Sequence, residues 1–235
     1  MIVGGQLTRE QQRYLKLMGI TVWLDRNRPA ELQMPVAAPV SKPTAAPMSQ
    51  PAWETLQQQV AACTRCELHR TRTQTVFGTG NRDADWLVIG EAPGAEEDRQ
   101  GEPFVGRAGK LLNAMLTAIG LEREQVYIAN ILKCRPPENR DPRPAEVTCC
   151  EDYLQQQIAM IRPKIILALG RIAAQNLLKI EVPIGRMRGQ RYAYGAAKIP
   201  VIVTYHPAYL LRSPREKRKS WQDLQLAMKI YQEPR

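Results

Sequence analysis

The stretch Trp86-Leu-Val-Ile-Gly-Glu-Ala-Pro-Gly94 decides the architecture: an unbroken apolar run is followed at once by glycine, glutamate and proline. A run without a polar face suits a strand covered on both sides, the usual state of a parallel strand, and glycine with proline ends it. Three more runs have the same form: Val126-Tyr-Ile-Ala129, Lys164-Ile-Ile-Leu-Ala-Leu169 and Val201-Ile-Val-Thr204. Between them the apolar spacing turns helical. Leu111, Leu112, Met115, Leu116 and Ile119 make one stripe, Val147 to Ile161 a second, Ile172 to Leu178 a third, and Trp221, Leu224, Met228 and Tyr231 a last. This alternation predicts an α/β fold, a three-layer α/β/α sandwich with a central four-stranded parallel sheet. Such sheets bind ligands beyond the carboxyl ends of their strands. Those ends read Gly90-Glu-Ala-Pro-Gly94, Asn130, Gly170 and His206-Pro207.

Residues 53–235 carry this pattern and form the expected domain. Before them, prolines at 35, 39, 43, 47 and 51 are spaced by Ala, Val, Ser and Thr, a composition that buries little and favours extended geometry. Residues 33–52 therefore read as a Pro/Ala-rich linker reaching up to about 50 Å at ~3.1 Å per residue. Residues 1–32 hold Leu15, Leu17, Met18, Ile20, Trp23 and Leu24 in a short amphipathic stretch interrupted by Gly19. They are expected to be a leader, either disordered or a docking peptide for a partner.

With 33 Lys+Arg against 23 Asp+Glu, the 235-residue chain carries a net charge of +10, which favours a polyanion such as nucleic acid. No run approaches the roughly 20 apolar residues of a membrane span, and the start lacks the positive-then-apolar order of a secretory signal. A cytoplasmic protein is expected, nucleoid-associated when bound to DNA. In a reducing compartment the five cysteines are poor disulfide candidates, and their clustering points to metal or cluster ligation with one thiol left over. Cys63-x-x-Cys66 supplies one pair of ligands, and Cys134 with Cys150 supplies another. On a helix, Cys150 lies about 40° from the direction shared by Val147, Leu154, Ile158 and Ile161, whereas Cys149 lies about 140° from it. Cys149 is the odd thiol. The spacing fits zinc and an iron-sulfur cluster equally.

The loops after the strands carry the chemistry. Gly90-Glu-Ala-Pro-Gly-Ala-Glu-Glu-Asp98 and Gly101-Glu-Pro-Phe-Val-Gly-Arg-Ala-Gly109 let backbone approach a ligand closely, and the next helix offers N–H groups to an anion. The order GxGxxG is absent, which argues against a nicotinamide enzyme. Phe104, one of two phenylalanines, stands among small and polar neighbours, as a ring meant to stack on a base would. His206, one of two histidines, directly follows a strand. Glu91 is the ionisable group nearest the loop's start, while Glu96, Glu97 and Asp98 read as solvated acids. Arg212-Ser-Pro-Arg-Glu-Lys-Arg-Lys219 is strongly basic and suits salt-sensitive phosphate contacts without sequence preference.

GEAPGAEED with GEPFVGRAGKLL, then YIANILKCRPPENRDPRPAE, then HPAYLLR, in that order within roughly residues 56–230, resemble the motifs of family 4 uracil-DNA glycosylases, the iron-sulfur branch of the uracil-DNA glycosylase superfamily. The resemblance implies a monofunctional glycosylase of base excision repair that hydrolyses the N-glycosidic bond of uracil in DNA after swinging the base into a pocket. It implies a [4Fe-4S] cluster on Cys63, Cys66, Cys134 and Cys150. It assigns Asn130, which has both a donor and an acceptor, to reading the pyrimidine edge, and Phe104 to stacking on it, with Gly90 and Ala92 in the base-binding set. His206 would steady the leaving uracil anion, and Glu91 would orient water or balance the cationic sugar. The better-known branch of the superfamily has an aspartate where this sequence has Ala92, so no strong general base is expected. Arg107, Arg212, Ser213, Arg215 and Lys217 would grip DNA, with Leu210 or Leu211 filling the vacated stack.

A monomer acting on uracil-containing DNA is the expected assembly. The alternatives are a non-catalytic DNA-binding or replication-associated module on the same fold, and a zinc-bearing nucleotide-binding protein. The leader adds a partner: Leu15-Lys-Leu-Met-Gly-Ile-Thr-Val-Trp-Leu24 resembles the start of the psi subunit of bacterial DNA polymerase III, which docks onto the chi subunit, and so implies a replisome protein.

Overall fold

The computed structural model describes residues 9–20 and 50–233. In chain order come α1 (Arg9–Leu17), α2 (Gln50–Ala61), β1 (Thr79–Gly80), β2 (Trp86–Gly90), α3 (Ala95–Gln100), α4 (Arg107–Ala118), β3 (Tyr127–Asn130) and α5 (Pro144–Ile161). They are followed by β4 (Ile165–Leu169), α6 (Arg171–Leu178), α7 (Ile184–Met187), β5 (Arg191–Tyr194), β6 (Ile199–Thr204), α8 (Pro207–Arg212) and α9 (Lys217–Gln232). Among the described residues no helix is long and apolar enough to cross a membrane.

Because successive side chains on a strand point to opposite faces, each buried strand feeds two cores. Leu87, Ile89, Tyr127, Ala129, Ile166, Ala168, Val201 and Val203 pack with side chains of α2, α5 and α6. Trp86, Val88, Ile128, Ile165, Leu167, Leu169 and Ile202 pack with α1, α4 and α9 on the other side. The result is the three-layer α/β/α sandwich. Its sheet has six strands in the order β1-β3-β2-β4-β6-β5. The four expected strands form its parallel centre. The sequence reading missed the two antiparallel edges, β1 and β5. An edge strand needs no continuous apolar run, and β5, Arg191-Tyr-Ala-Tyr194, alternates exposed with half-buried residues.

The N-terminal part also differs from expectation. Helix α2 starts at Gln50, inside the expected linker, and turns Trp53, Leu56 and Val60 into the core. In the expected leader, Leu15 and Met18 are 1% and 0% exposed and belong to the core that covers α4. This segment serves as an element of the domain's outer layer, because α4 presents apolar side chains that α1 is placed to cover. The rest of the leader, with Trp23 and Leu24, and residues 33–49 of the linker lie outside the described residues.

Helix α5 has a built start. Pro144 needs no donor at the first helical position, and Glu146 accepts from Arg143 N at 2.8 Å while pairing with Arg140. The ion pair with Arg140 holds the Glu146 carboxyl below the usual carboxylate range. This fixes the helix that carries Cys149 and Cys150.

Candidate active site

Gly90 and Asn130 are register partners at the ends of β2 and β3. The pairing continues beyond them, with Ile131 N donating to Gly90 O and Leu132 N to Glu91 O, both at 3.0 Å. Asn130 is 2% exposed, and its Oδ1 has no hydrogen-bond partner among the described residues. A buried acceptor left unpaired costs about 1–3 kcal/mol, which a ligand bringing an N–H would recover. A side chain at Gly90 would put its Cβ 2.7 Å from Cε2 and Cζ of Phe104 and drive it into Asn130 Oδ1. The missing side chain thus leaves a slot between a carboxamide and a ring edge. The Phe104 and His206 rings are 5.6 Å apart at 33°. Gly90, Phe104, Asn130 and His206 therefore meet at one place, although they come from three strand ends and a loop.

Phe104 sits in the left-handed region, at φ 55, where a bulky side chain is disfavoured. Its loop is held from three sides. Arg123 donates to Phe104 O at 3.3 Å and to Pro103 O at 2.5 Å. Glu97 accepts from Val105 N and Gly106 N, both at 3.0 Å. Gly109 lets the first turn of α4 lie against the Phe104 carbonyl, where a Cβ would collide. The reading of Glu96, Glu97 and Asp98 as solvated acids holds only for Glu96, which is exposed and paired with Arg99. Asp98 is buried and accepts Thr73 N with both oxygens at 3.0 Å.

His206 caps α8, its Nδ1 accepting from Ala208 N at 3.1 Å. A backbone N–H can only donate, so Nδ1 is the acceptor and the ring's proton resides on Nε2. Burial, reinforced by Arg212, lowers the His206 pKa to about 4, so the ring is neutral at pH 7. Gly170, at φ 92, lies beside it: a Cβ there would stand 3.0 Å from His206 Cβ. The Glu91 carboxyl is pushed up to about 7, first by burial and then by Asp141, against the pull of Arg171. Asp141 and Arg171 pair with each other at 2.9 Å. Ala92 packs on the first core and adds no ionisable group.

The basic residues lie on the surface near these strand ends. Arg107, Arg212 and Arg215 are exposed, and Ser213 and Lys217 are half-buried. Of the two leucines in question, Leu210 is fully buried in the core, while Leu211 is 37% exposed. A separate shallow cleft, bordered by Ile131, Val147, Leu154, Asn176 and Tyr194, contains none of the residues expected at the site.

All five cysteines are free. Cys134 and Cys150 are buried, and Cys63, Cys66 and Cys149 are half-buried. Cys134 lies within electrostatic reach of Cys66 and Cys63, and Cys150 within reach of Cys134 and Cys66. Burial pushes the Cys150 thiol up to about 12 and raises those of Cys66 and Cys134. Positive charge and donors face these sulfurs: Arg72 Nη1 donates to Cys134 Sγ at 2.9 Å, and the Lys133 backbone N–H to Cys150. Cys149 donates to Arg65 O at 3.2 Å and also lies within electrostatic reach of Cys66. Among the described residues no three His, Cys, Asp or Glu side chains form a site for a metal ion.

Residues 77–225 match the family model described as the Uracil DNA glycosylase superfamily. A type-4 uracil-DNA glycosylase of Archaeoglobus fulgidus is 50% identical over 168 residues, covering 69% of this chain and 84% of that protein. The chain belongs to the uracil DNA glycosylase superfamily, in its type-4 branch. A second type-4 glycosylase, from Thermotoga maritima, is 46% identical over 161 residues, 68% of this chain and 83% of that protein. A DNA polymerase of Bacillus phage SP01 is 33% identical over 151 residues, which are 63% of this chain and 16% of that protein. The superfamily match spans Gly90, Phe104, Asn130, His206, Cys134 and Cys150, and it leaves α1, α2, Cys63 and Cys66 outside.

Proposed function

We propose that this protein hydrolyses the N-glycosidic bond of uracil in DNA, releasing the base and leaving an abasic site. The observation that carries the reading is the buried, unpaired Oδ1 of Asn130 beside the Gly90 slot, the Phe104 ring and a neutral His206. A base inside a duplex is out of reach, so the nucleotide must swing out, at a few kcal/mol of unstacking. Uracil then offers its N3–H to Asn130 Oδ1 and its O4 to Nδ2. Cytosine offers an acceptor at N3 and a donor at the 4-position, so each contact is inverted and buried groups are left unpaired.

Scission of the C1′–N1 bond leaves its electron pair on uracil and positive charge on the sugar. The Nε2–H of neutral His206 donates to uracil O2 and stabilises the departing anion without giving up its proton, a role in which such donors contribute about 10²–10³ in rate. Glu91 in its carboxylate form faces the cationic sugar and orients the water that adds to C1′. Leu211, Arg212, Ser213, Arg215, Lys217 and Arg107 contact the displaced strand.

Cys63, Cys66, Cys134 and Cys150 would hold a [4Fe-4S] cluster. The donor set fits, since four thiols share one region with Arg72 and Lys133 against their sulfurs. When bound, such a cluster supplies a cross-link between the chain after α2, the exit of β3 and α5. On the same reading the enzyme acts as a cytoplasmic monomer. A replisome contact through residues 15–24 would use Leu17, which is 65% exposed, since Leu15 and Met18 are buried.

The test is base release from uracil-containing single- and double-stranded oligonucleotides by the wild type and by Asn130→Asp. The wild type should release uracil, and the variant should lose most of that rate while gaining measurable cytosine release, because a carboxylate cannot donate to O4. Wild-type protein that binds the DNA but releases no base favours the non-catalytic reading. Iron and sulfide content of anaerobically purified protein decides between the cluster and zinc.

A further inference from the structure

Lys133 is 1% exposed, yet no catalytic step uses it. Its ammonium is held by three oxygens: Gln157 Oε1 at 2.6 Å, Asn130 O at 3.1 Å and Phe77 O at 3.2 Å. Three acceptors call for three N–H donors, which only the charged amine supplies. Gln157, itself fully buried, donates from Nε2 to the same Phe77 O at 3.0 Å. The backbone of Lys133 is also fixed at both ends. Its N–H donates to Cys150, and its carbonyl accepts Val76 N at 2.8 Å. The next residue is Cys134. The Lys133 side chain thus connects the backbone of Asn130 to α5, the helix that carries Cys150.

The ladder holds the Asn130 backbone on the β2 side, but among the described residues nothing comparable holds its carboxamide. Its Oδ1 has no partner among the described residues, so the aim of the carboxamide follows from where the backbone at 130 is held. Beyond Asn130 the backbone stays paired through Ile131 N and Leu132 N, and the Lys133 ammonium then reaches back over three residues to the Asn130 carbonyl. We infer that Lys133 is a positioning residue that sets the pyrimidine-reading carboxamide of Asn130 from the cysteine side of the domain. The inference rests on the proposed function, and it adds a path by which the state of the four cysteines reaches the base-recognition site.

The test is a double-mutant cycle on single-turnover uracil release. Lys133→Met is made in the wild type and in Asn130→Ala, with iron content and affinity for abasic-site DNA measured alongside. In the wild-type background Lys133→Met should slow release by about 10- to 100-fold, the scale of a small misplacement of a recognition group. In the Asn130→Ala background the same change should slow it by less than about 3-fold, since residues acting through one another are not additive. Abasic-site affinity, which needs no base contact, should stay within about 2-fold of wild type in both. Equal losses in both backgrounds, or a parallel loss of abasic-site affinity, would show a general structural role and overturn the inference. A wild-type rate for Lys133→Met would do the same. If Lys133→Met does not fold, Gln157→Leu, which removes one acceptor of the ammonium, goes through the same cycle and should show a smaller loss that again disappears with Asn130→Ala. Wild-type protein that releases no uracil refutes the proposed function itself, whereas release with additive losses refutes only the role of Lys133.

Discussion

Gly90→Ala is the most direct probe of the base site. The added methyl would lie 2.7 Å from two ring carbons of Phe104 and would overlap Asn130 Oδ1. Neither strand can yield easily, because Gly90 and Asn130 are neighbours in a parallel ladder that continues through Ile131 and Leu132. Gly90 does not have a positive φ, so alanine meets no backbone strain there and the whole effect is steric. Overpacking of this kind costs about 1–3 kcal/mol. For a domain of this size that corresponds to a Tm lower by roughly 2–4 °C per kcal/mol. Activity should suffer far more. Relief requires the ring or the carboxamide to move by about 1 Å, and a misplacement of that order costs about 100-fold in rate. Single-turnover release of uracil from a single-stranded oligonucleotide should therefore fall at least about 100-fold, while affinity for abasic-site DNA, which brings no base to the slot, is retained. A Gly90→Ala enzyme with wild-type release would show that the pyrimidine does not sit between Asn130 and Phe104, and the proposed mechanism would fail with it.

Three other outcomes follow from the same geometry. His206→Ala should lose about 10²–10³ in rate, and because burial lowers the His206 pKa to about 4, wild-type release should show no histidine-dependent limb between pH 5 and 8. A limb near pH 6.5 that vanishes in the variant would contradict a neutral imidazole donor. Burial raises the Glu91 pKa to about 7, so its carboxylate is gained as pH rises through that value; release should increase over the same range, and Glu91→Gln should be slower and flat there. A pH-rate profile of both proteins decides. Leu15→Ala with Met18→Ala should lower Tm by several degrees, since core truncations cost about 2–5 kcal/mol each, even though α1 lies outside the matched family region. An unchanged melting curve would mean that α1 does not help to hold α4.

Much of this protein is written locally in its chain. The four parallel strands and the helices between them come from runs of adjacent residues, because a strand buried on both faces must be apolar throughout and a helix covering a sheet must repeat its apolar positions. The burial of Cys150 follows from helical angle alone. The residues gathered at the strand ends could be named in advance because open parallel sheets present their ligands there.

Tertiary structure decided whatever depends on a partner distant in sequence. Glu97 and Asp98 look like surface acids beside Glu96 until Val105, Gly106 and Thr73 bring backbone N–H groups to them. Arg123 is unremarkable in sequence, and it acts only because the chain folds its guanidinium under the carbonyls of Pro103 and Phe104. The edge strands and α1 carry patterns too short to read until a neighbouring surface gives them something to cover. Lys133 is one basic residue among 33 in sequence, and only the enclosure of its ammonium by Asn130, Phe77 and Gln157 separates it from those that water solvates. Apolar periodicity is a property of neighbours along the chain, whereas the desolvation of a charge and the acceptors that compensate it are properties of the space the chain encloses.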